Sequence, residues 1–357
     1  MSSEIDKVKV VRIIARLNIG GPAIQAILLT ECLGAEVFTS YLIAGNISKN
    51  EGDMMPYAVA RNVYPIMVPE LGREISGMKD VVAFVKLVKF LRKVRPHVVH
   101  THTAKAGTLG RVAAWVARVP IKVHTFHGHV FSGYFGWGKT KFFILIERVL
   151  AFLSDCILVL SDHQRQELVD VFRIAPNHKF QVVPLGFDLE PFLYLPGSTR
   201  NFHQRPTGTP PVIIGFIGRL AEIKNPFLAF DAFSVLDSRS RKVPSWELWV
   251  AGGGPLEESL KRSAKKTQLT TKIRFLGWQR DMPRLYSSVD VVILTSLNEG
   301  TPVALIEAMA SGKPFISTNV GGVRDLMVGT GQCVSGNHGG QFTVYDNGLS
   351  LIHISEP

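Results

Sequence analysis

The sequence predicts an α/β protein built from two doubly wound, Rossmann-like domains, and three observations carry that prediction. Short apolar, β-rich runs alternate with amphipathic segments along the chain. One stretch, Tyr194 to Pro211, interrupts the alternation with Pro, Gly, Thr and Ser and no apolar periodicity. The 357 residues, 46% apolar and 19% charged, supply core enough for two domains.

In chain order the first set of runs is KVVRIIARL, FTSYLIAG, HVVHTH, IKVHTFHG and CILVLS. Separated by helix-like segments, they follow the βαβ rhythm of a parallel sheet covered by helices. They predict an N-terminal domain over residues 1–193, followed by a linker over 194–211. The second set, VIIGFIGRL, ELWVAGGG, KIRFLG, VVILTS and PFIST, repeats the rhythm and predicts a C-terminal domain over 212–357. No short tandem repeat or low-complexity tract is present.

Several function classes recede. Cys32, Cys156 and Cys333 lie far apart without metal-ligand spacing, so a reducing, cytoplasmic setting is expected. No apolar run reaches the roughly 18 residues that span a bilayer, and the N-terminus lacks the apolar core of a signal peptide. The net charge of +11 gathers early, residues 51–150 holding about fifteen Lys/Arg against six Asp/Glu. No nucleic-acid motif accompanies it, so anionic substrates or an anionic membrane surface are the expected partners, and nucleic acid is not. Neither domain carries a strict G-x-G-x-x-G followed by an acidic residue, which disfavours a nicotinamide dehydrogenase. GYFGWGKT, Gly133 to Thr140, matches a P-loop letter for letter, yet Tyr134, Phe135 and Trp137 would stand where phosphate oxygens should lie. His100, His102, His124, His127 and His129 alternate at strand ends, but with Thr, Lys and Gly around them they read as cleft residues and no metal is expected.

The most informative stretch is VVILTSLNEGTPVALIEAMASGKPFISTNVGGV. A strand ends near Ser296, and Thr301 is placed to cap a helix with Pro302 at its first position. Glu299 and Glu307 would then bracket a helix N-terminus whose Val303 and Ala304 amides are open to a diphosphate. In GFIGRLAEIKNP, Arg219 and Lys224 follow a strand end, and two cations there would neutralise the same diphosphate.

Together these segments resemble the retaining glycosyltransferases of family 4, also termed group 1, which have the two-domain GT-B fold, its domains facing a central cleft. The family's E-x7-E signature stands here as EGTPVALIE, its phosphate pair as Arg219 and Lys224, and its first Gly-rich loop as LNIGGP. Its cleft histidine is His127 in HTFHG, and its late Gly-rich turn is VAGGGP, with Gly252 and Gly254. The resemblance covers nearly the whole chain. It implies that Glu299 contacts sugar hydroxyls, Glu307 the ribose diol, and Arg219 with Lys224 the diphosphate. Gly20 and Gly21 let the backbone approach the reacting centre, with Thr301, Val303 and Ala304 completing the donor site. His127, Glu299, Arg219 and Lys224 form the expected catalytic set. Lys105, Arg111, Trp137 and Lys139 are the expected acceptor residues.

The expected activity is metal-independent transfer of a sugar from a UDP- or GDP-sugar to a glycan or lipid-linked precursor in polysaccharide biosynthesis, with no cofactor. The expected location is cytoplasmic, peripheral at the inner face of the cell membrane. A GT-B nucleotide-sugar epimerase and an inactive carbohydrate- or anion-binding protein are the alternatives. Two departures stand out. Pro302 occupies a position where many members have Gly, and the residues after VGGVRDLM show neither the strand–helix pattern nor the length of the family's C-terminal region, which reads as truncated.

Overall fold

The structure, a computed structural model, describes residues 7–48, 51–72, 74–128, 131, 136–193, 195, 210–239, 245–267, 269, 272–326, 332–335, 341–344 and 350–353. The chain divides into two compact units, Met1–Phe187 and Asp188–Pro357.

In the first unit seven parallel strands lie in the order β3-β2-β1-β4-β5-β6-β7. They are β1 Val8–Ile14, β2 Phe38–Ala44, β3 Ile66–Met67, β4 Val98–His102, β5 Ile121–Thr125, β6 Cys156–Val159 and β7 Phe180–Val182. The helices are α1 Gly21–Cys32, α2 Met55–Ala60, α3 Gly77–Val94, α4 Ala104–Val116, α5 Trp137–Leu153 and α6 Asp162–Gln166. Parallel strands require crossovers, and these helices cover the sheet on both faces. Neighbouring residues of β1 therefore enter different cores. Ile13 packs with Ala83, Leu87 and Leu91 of α3 and with Ala113 of α4, while Ile14 packs with Ala26 and Ile27 of α1. Helix α3 buries Ala83, Leu87, Val88 and Leu91, a stripe at helical spacing, and ends at Arg95, which lies in the left-handed region with its amide donating to the Leu91 carbonyl, before Pro96.

The second unit has an eight-stranded sheet in the order β10-β9-β8-β11-β12-β15-β14-β13. Its strands are β8 Val212–Ile217, β9 Trp246–Ala251, β10 Ile273–Gly277, β11 Val291–Leu294, β12 Phe315–Thr318, β13 Gln332–Ser335, β14 Gln341–Val344 and β15 Ser350–His353. The first five are parallel, β15 joins β12 in parallel, and β13 and β14 are antiparallel. Its helices are α7 Glu190–Leu193, α8 Pro226–Arg239, α9 Glu257–Lys266, α10 Met282–Ser288 and α11 Val303–Ala310. Phe216 and Ile217 again face separate cores.

The composition shift would place α7 with the first domain, but it belongs to the second unit. Phe192 is buried there and meets the Tyr286 ring edge-on, centroids 5.7 Å apart. Most of the expected linker, 194 and 196–209, lies outside the described residues.

Both sheets are wound outward from a central pair, β1 with β4 and β8 with β11. Strand order reverses at such a pair, and ligands of open parallel sheets bind beyond its carboxyl ends.

Candidate functional site

In the second unit the candidate residues meet beyond β8 and β11. Their loops are laced together: the Leu297 amide donates to the Ile223 carbonyl at 2.8 Å and the Thr295 hydroxyl to the Asn225 carbonyl at 2.9 Å. This brings Lys224 to Glu299, with Nζ to Oε1 at 2.5 Å. Ser296, buried at the end of the strand, donates its hydroxyl to the same oxygen at 2.5 Å. Oε1 is thus held twice, while Oε2 has no hydrogen-bond partner among the described residues. Glu299 itself is 8% exposed. The Arg219 guanidinium has no charged or hydrogen-bonding partner among the described residues, so it stands as a half-buried, uncompensated cation.

Glycines allow these loops to approach. A Cβ on Gly252 would lie 2.0 Å from the Gly218 carbonyl oxygen, and one on Gly254 2.4 Å from that of Leu220. Both have positive φ, 139° and 155°. Gly321 and Gly322 play the same part on the other side. Their Cβ atoms would lie 2.0 Å from the Glu299 oxygen and 1.8 Å from the Gly300 oxygen, and the Gly322 amide donates to Glu299 at 3.0 Å.

Helix α11 begins one residue later than expected. Pro302 is its N-cap, no side chain caps it, and the Val303 amide already donates to the Thr301 carbonyl at 3.0 Å. Thr301 is therefore not the cap and Val303 is not an open donor, because the proline shifts the helix start. Ala304 keeps an amide without an acceptor among the described residues. Glu307 lies a turn further on, where burial pushes its carboxyl up to about 7, opposed by a hydrogen bond with Tyr286. The fully buried Tyr286 hydroxyl has one proton to give and shares it between Glu307 and the Ala304 carbonyl, whose oxygen lies 2.8 Å away.

In the first unit Gly20 caps α1 without a side chain, its carbonyl accepting from Ala23 and Ile24, and Gly21 opens the helix. Four histidines gather at the carboxyl ends of β4 and β5, His100, His102 and His124 within the strands and His127 just past them. His127 Nε2 lies 2.9 Å from His102 Nδ1, His100 Nε2 2.7 Å from the Thr125 hydroxyl, and His124 Nδ1 2.8 Å from that of Thr101. Burial, with the nearby Arg12 adding for His100, holds His100 and His127 down at about 3, and burial first holds His102 and His124 well below the usual imidazole range. All four rings are neutral. Among the described residues no group of three or more His, Cys, Asp or Glu could hold a metal ion.

The expected acceptor residues separate. Trp137 is 76% exposed at the start of α5, with Lys141 stacked 3.9 Å above its ring and Lys139 exposed beside it. The rest of GYFGWGKT up to Phe135 is outside the described residues. Lys105 is tied to Asp80 at 2.6 Å and to the Glu74 carbonyl. Arg111 is a correction: it is fully buried, bonded to the Gly107 carbonyl at 2.9 Å and to Glu147 at 2.8 Å, and presents nothing to an acceptor.

Sequence reasoning did not single out Ser296, Tyr286, Gly321 or Gly322. The paired glycines of NVGGV carried a signal, whereas Tyr286 reaches α11 only through the tertiary fold.

Comparisons with known proteins identify the family and the fold. The description "Glycosyltransferase Family 4" matches residues 19–191, and "Glycosyl transferases group 1" matches residues 198–337. The chain is 30% identical over 330 residues to a UDP-Gal:alpha-D-GlcNAc-diphosphoundecaprenol alpha-1,3-galactosyltransferase of Escherichia coli, spanning 90% of this chain and 82% of that protein. It is 25% identical to the capsular polysaccharide biosynthesis glycosyltransferase CapM of Staphylococcus aureus, over 72% of this chain and 67% of that one. In fold it is similar to Anabaena Alr3699/HepE, solved in complex with UDP and glucose, at a TM-score of 0.68 and 18% identity over 90% of this chain and 83% of that one. The chain belongs to the family 4, group 1 glycosyltransferases and has their GT-B fold.

Proposed function

We propose that the protein is a retaining, metal-independent glycosyltransferase that moves a sugar from a UDP-sugar to a lipid-linked, diphosphate-bearing glycan precursor in polysaccharide assembly. The carrying observation is the set of groups that follow β8 and β11 in the chain: Arg219 and Lys224 after the first, and after the second the Glu299 carboxylate that Lys224 contacts, the Ala304 amide at a helix N-terminus, then the Glu307 carboxyl. A nucleoside diphosphate sugar carries the complementary set of sugar hydroxyls, phosphates and ribose diol. Glu299 would take the sugar hydroxyls through Oε2, and Glu307 the ribose. Arg219, Lys224 and the positive end of α11 would hold the charge that gathers on the departing diphosphate. No side-chain nucleophile is required. The bond from the anomeric carbon to the β-phosphate oxygen breaks as the acceptor oxygen bonds on the same face, and the acceptor's proton passes to a phosphate oxygen. From the first unit, the family resemblance assigns Gly20, Gly21 and His127 to the sugar and Trp137 and Lys139 to the acceptor. The choice of UDP and of a diphospholipid acceptor rests on the printed activity of the E. coli relative.

The same reading includes adhesion to an anionic membrane surface. Helix α3 exposes Lys86, Lys89, Arg92 and Lys93. Helix α5 adds what the sequence did not single out, an exposed apolar stripe of Phe142, Leu145, Val149 and Phe152 with Lys139 and Lys141 in its first turn. No helix among the described residues is long and apolar enough to cross a membrane.

A thermal-shift series of UDP-, GDP- and ADP-sugars on the full chain tests the donor, since selective ligands raise apparent stability. UDP should then be released from UDP-galactose only when N-acetylglucosaminyl-diphospholipid is present, and release should survive EDTA. UDP release without acceptor, or no response to any nucleotide sugar, rejects the reading.

A further inference from the structure

We infer that His102 is a positioning residue for His127: it donates its Nδ1–H to His127 Nε2 and so leaves His127 with a protonated Nδ1, a hydrogen-bond donor for an oxygen of the bound sugar. The inference rests on the reading that His127 meets the sugar, but its tautomer claim is independent of that reading.

The rings sit 2.9 Å apart, Nδ1 of His102 to Nε2 of His127, at the end of β4 and just beyond β5. Both are neutral, so the pair carries two N–H protons and spends one between the rings. The other must sit on His102 Nε2 or on His127 Nδ1, and both atoms are buried without a hydrogen-bond partner. Two features decide between them. Arg12, opposite His100 in the sheet register and 3% exposed, raises the positive potential at His100 and His102, and its own Nε is an unpartnered donor. A bare lone pair on His102 Nε2 suits that field, whereas an N–H there would oppose it. His102 is also wholly buried, while the His127 ring is part-exposed although its Nδ1 is covered in the chain without ligand, so a ligand that reaches either orphaned nitrogen does so at His127. An orphan donor is tolerable where a substrate relieves it. The His100 ring, packed against His102 with centroids 4.2 Å apart and planes tilted by 40°, and anchored on Thr125, restrains the donating ring from turning.

Long-range proton–nitrogen NMR of the 15N-labelled full chain without ligand, with the His127 signals identified by their loss in His127→Ala, tests the tautomer. The result expected is a protonated Nδ1 and a bare Nε2 on His127, replaced by a mixture of tautomers in His102→Leu and restored in His102→Gln, whose amide can still donate. A bare Nδ1 in the wild-type chain, or a His127 pattern unchanged in His102→Leu, overturns the inference. If His102→Leu does not fold, the wild-type spectrum and His102→Gln decide alone. With UDP-galactose and the diphospholipid acceptor, kcat in His102→Leu should fall about tenfold with KM for UDP-galactose nearly unchanged, and His102→Gln should recover it. A His102→Leu chain with the expected tautomer mixture but wild-type kcat rejects the positioning role. Wild-type kinetics in His127→Ala would instead reject the reading that His127 meets the sugar.

Discussion

At the scale of single residues, Arg219 and Lys224 have the same charge but different situations. Lys224 is already paired with Glu299, whereas Arg219 has no partner among the described residues. A diphosphate gains the whole attraction of Arg219, but must share Lys224 with a carboxylate. Both truncations should weaken UDP binding, Arg219→Ala by about 1.5–3 kcal/mol and Lys224→Ala by less, because Lys224 must loosen its bond with Glu299 to meet a phosphate. Calorimetry with UDP reads the order directly, and equal or reversed losses would contradict it. Glu307 sets a pH dependence. Its carboxyl, pushed up to about 7 by burial, is half protonated near neutrality, and ribose hydroxyls donate best to a carboxylate. UDP affinity should therefore rise up to about tenfold between pH about 6 and about 8, and Glu307→Gln should flatten the rise. Stability runs the other way. A carboxyl with a raised folded pKa contributes stability that is full below its unfolded value and fades as pH climbs through about 7.

At the scale of elements, the ten apolar runs read from the sequence each hold a strand, most plainly where burial on both faces writes a near-continuous apolar word, as in VVILTS and CILVLS. Ile66–Met67 and Phe180–Val182 were illegible, being two and three residues long, too short for any period to show. Glu299 with Glu307, and Arg219 with Lys224, were each legible as a pair because their members share one loop or one loop-to-helix junction, whereas the bond from Lys224 to Glu299 joins two loops far apart in sequence. The His102 to His127 bond was not legible either, since it joins two strand ends. Arg111 was expected among the acceptor residues and is buried instead, and a clue lay in its own helix. Gly107 and Ala114, a turn to either side of it, mark the packed face of α4, and a Cβ on Gly107 would press to 2.6 Å from His124. There the Arg111–Glu147 pair acts as a strut between α4 and α5. Removing one partner strands a buried charge, so Arg111→Met alone should lose about 3–5 kcal/mol in urea unfolding. Pairing it with Glu147→Leu should recover most of that loss. A single variant as stable as the parent chain would show that the strut does not carry load.

At the scale of the whole molecule, the surplus of positive charge and the apolar stripe of α5 make a joint statement about where the protein works. Each exposed lysine or arginine near anionic lipid adds about 1 kcal/mol, screened by salt, while apolar side chains at a bilayer surface are indifferent to salt. Co-sedimentation with vesicles of phosphatidylglycerol and phosphatidylcholine should separate the two. Replacing Lys86, Lys89, Arg92 and Lys93 with Ser should remove the salt-sensitive part, and Phe142→Ser with Phe152→Ser the part that persists at high salt. Equal binding by all three chains would contradict the proposed adhesion. The glycine contacts beyond β8 and β11 have a further, evolutionary consequence. Where a single methyl group would collide with a neighbour's carbonyl oxygen, mutational drift has almost no room, and Gly252, Gly254, Gly321 and Gly322 all stand at such places. If these loops hold the diphosphate as proposed, descendants of this chain can change the sugar they handle only through side chains outside that frozen backbone, so new specificities should accumulate around it while the frame is inherited unchanged.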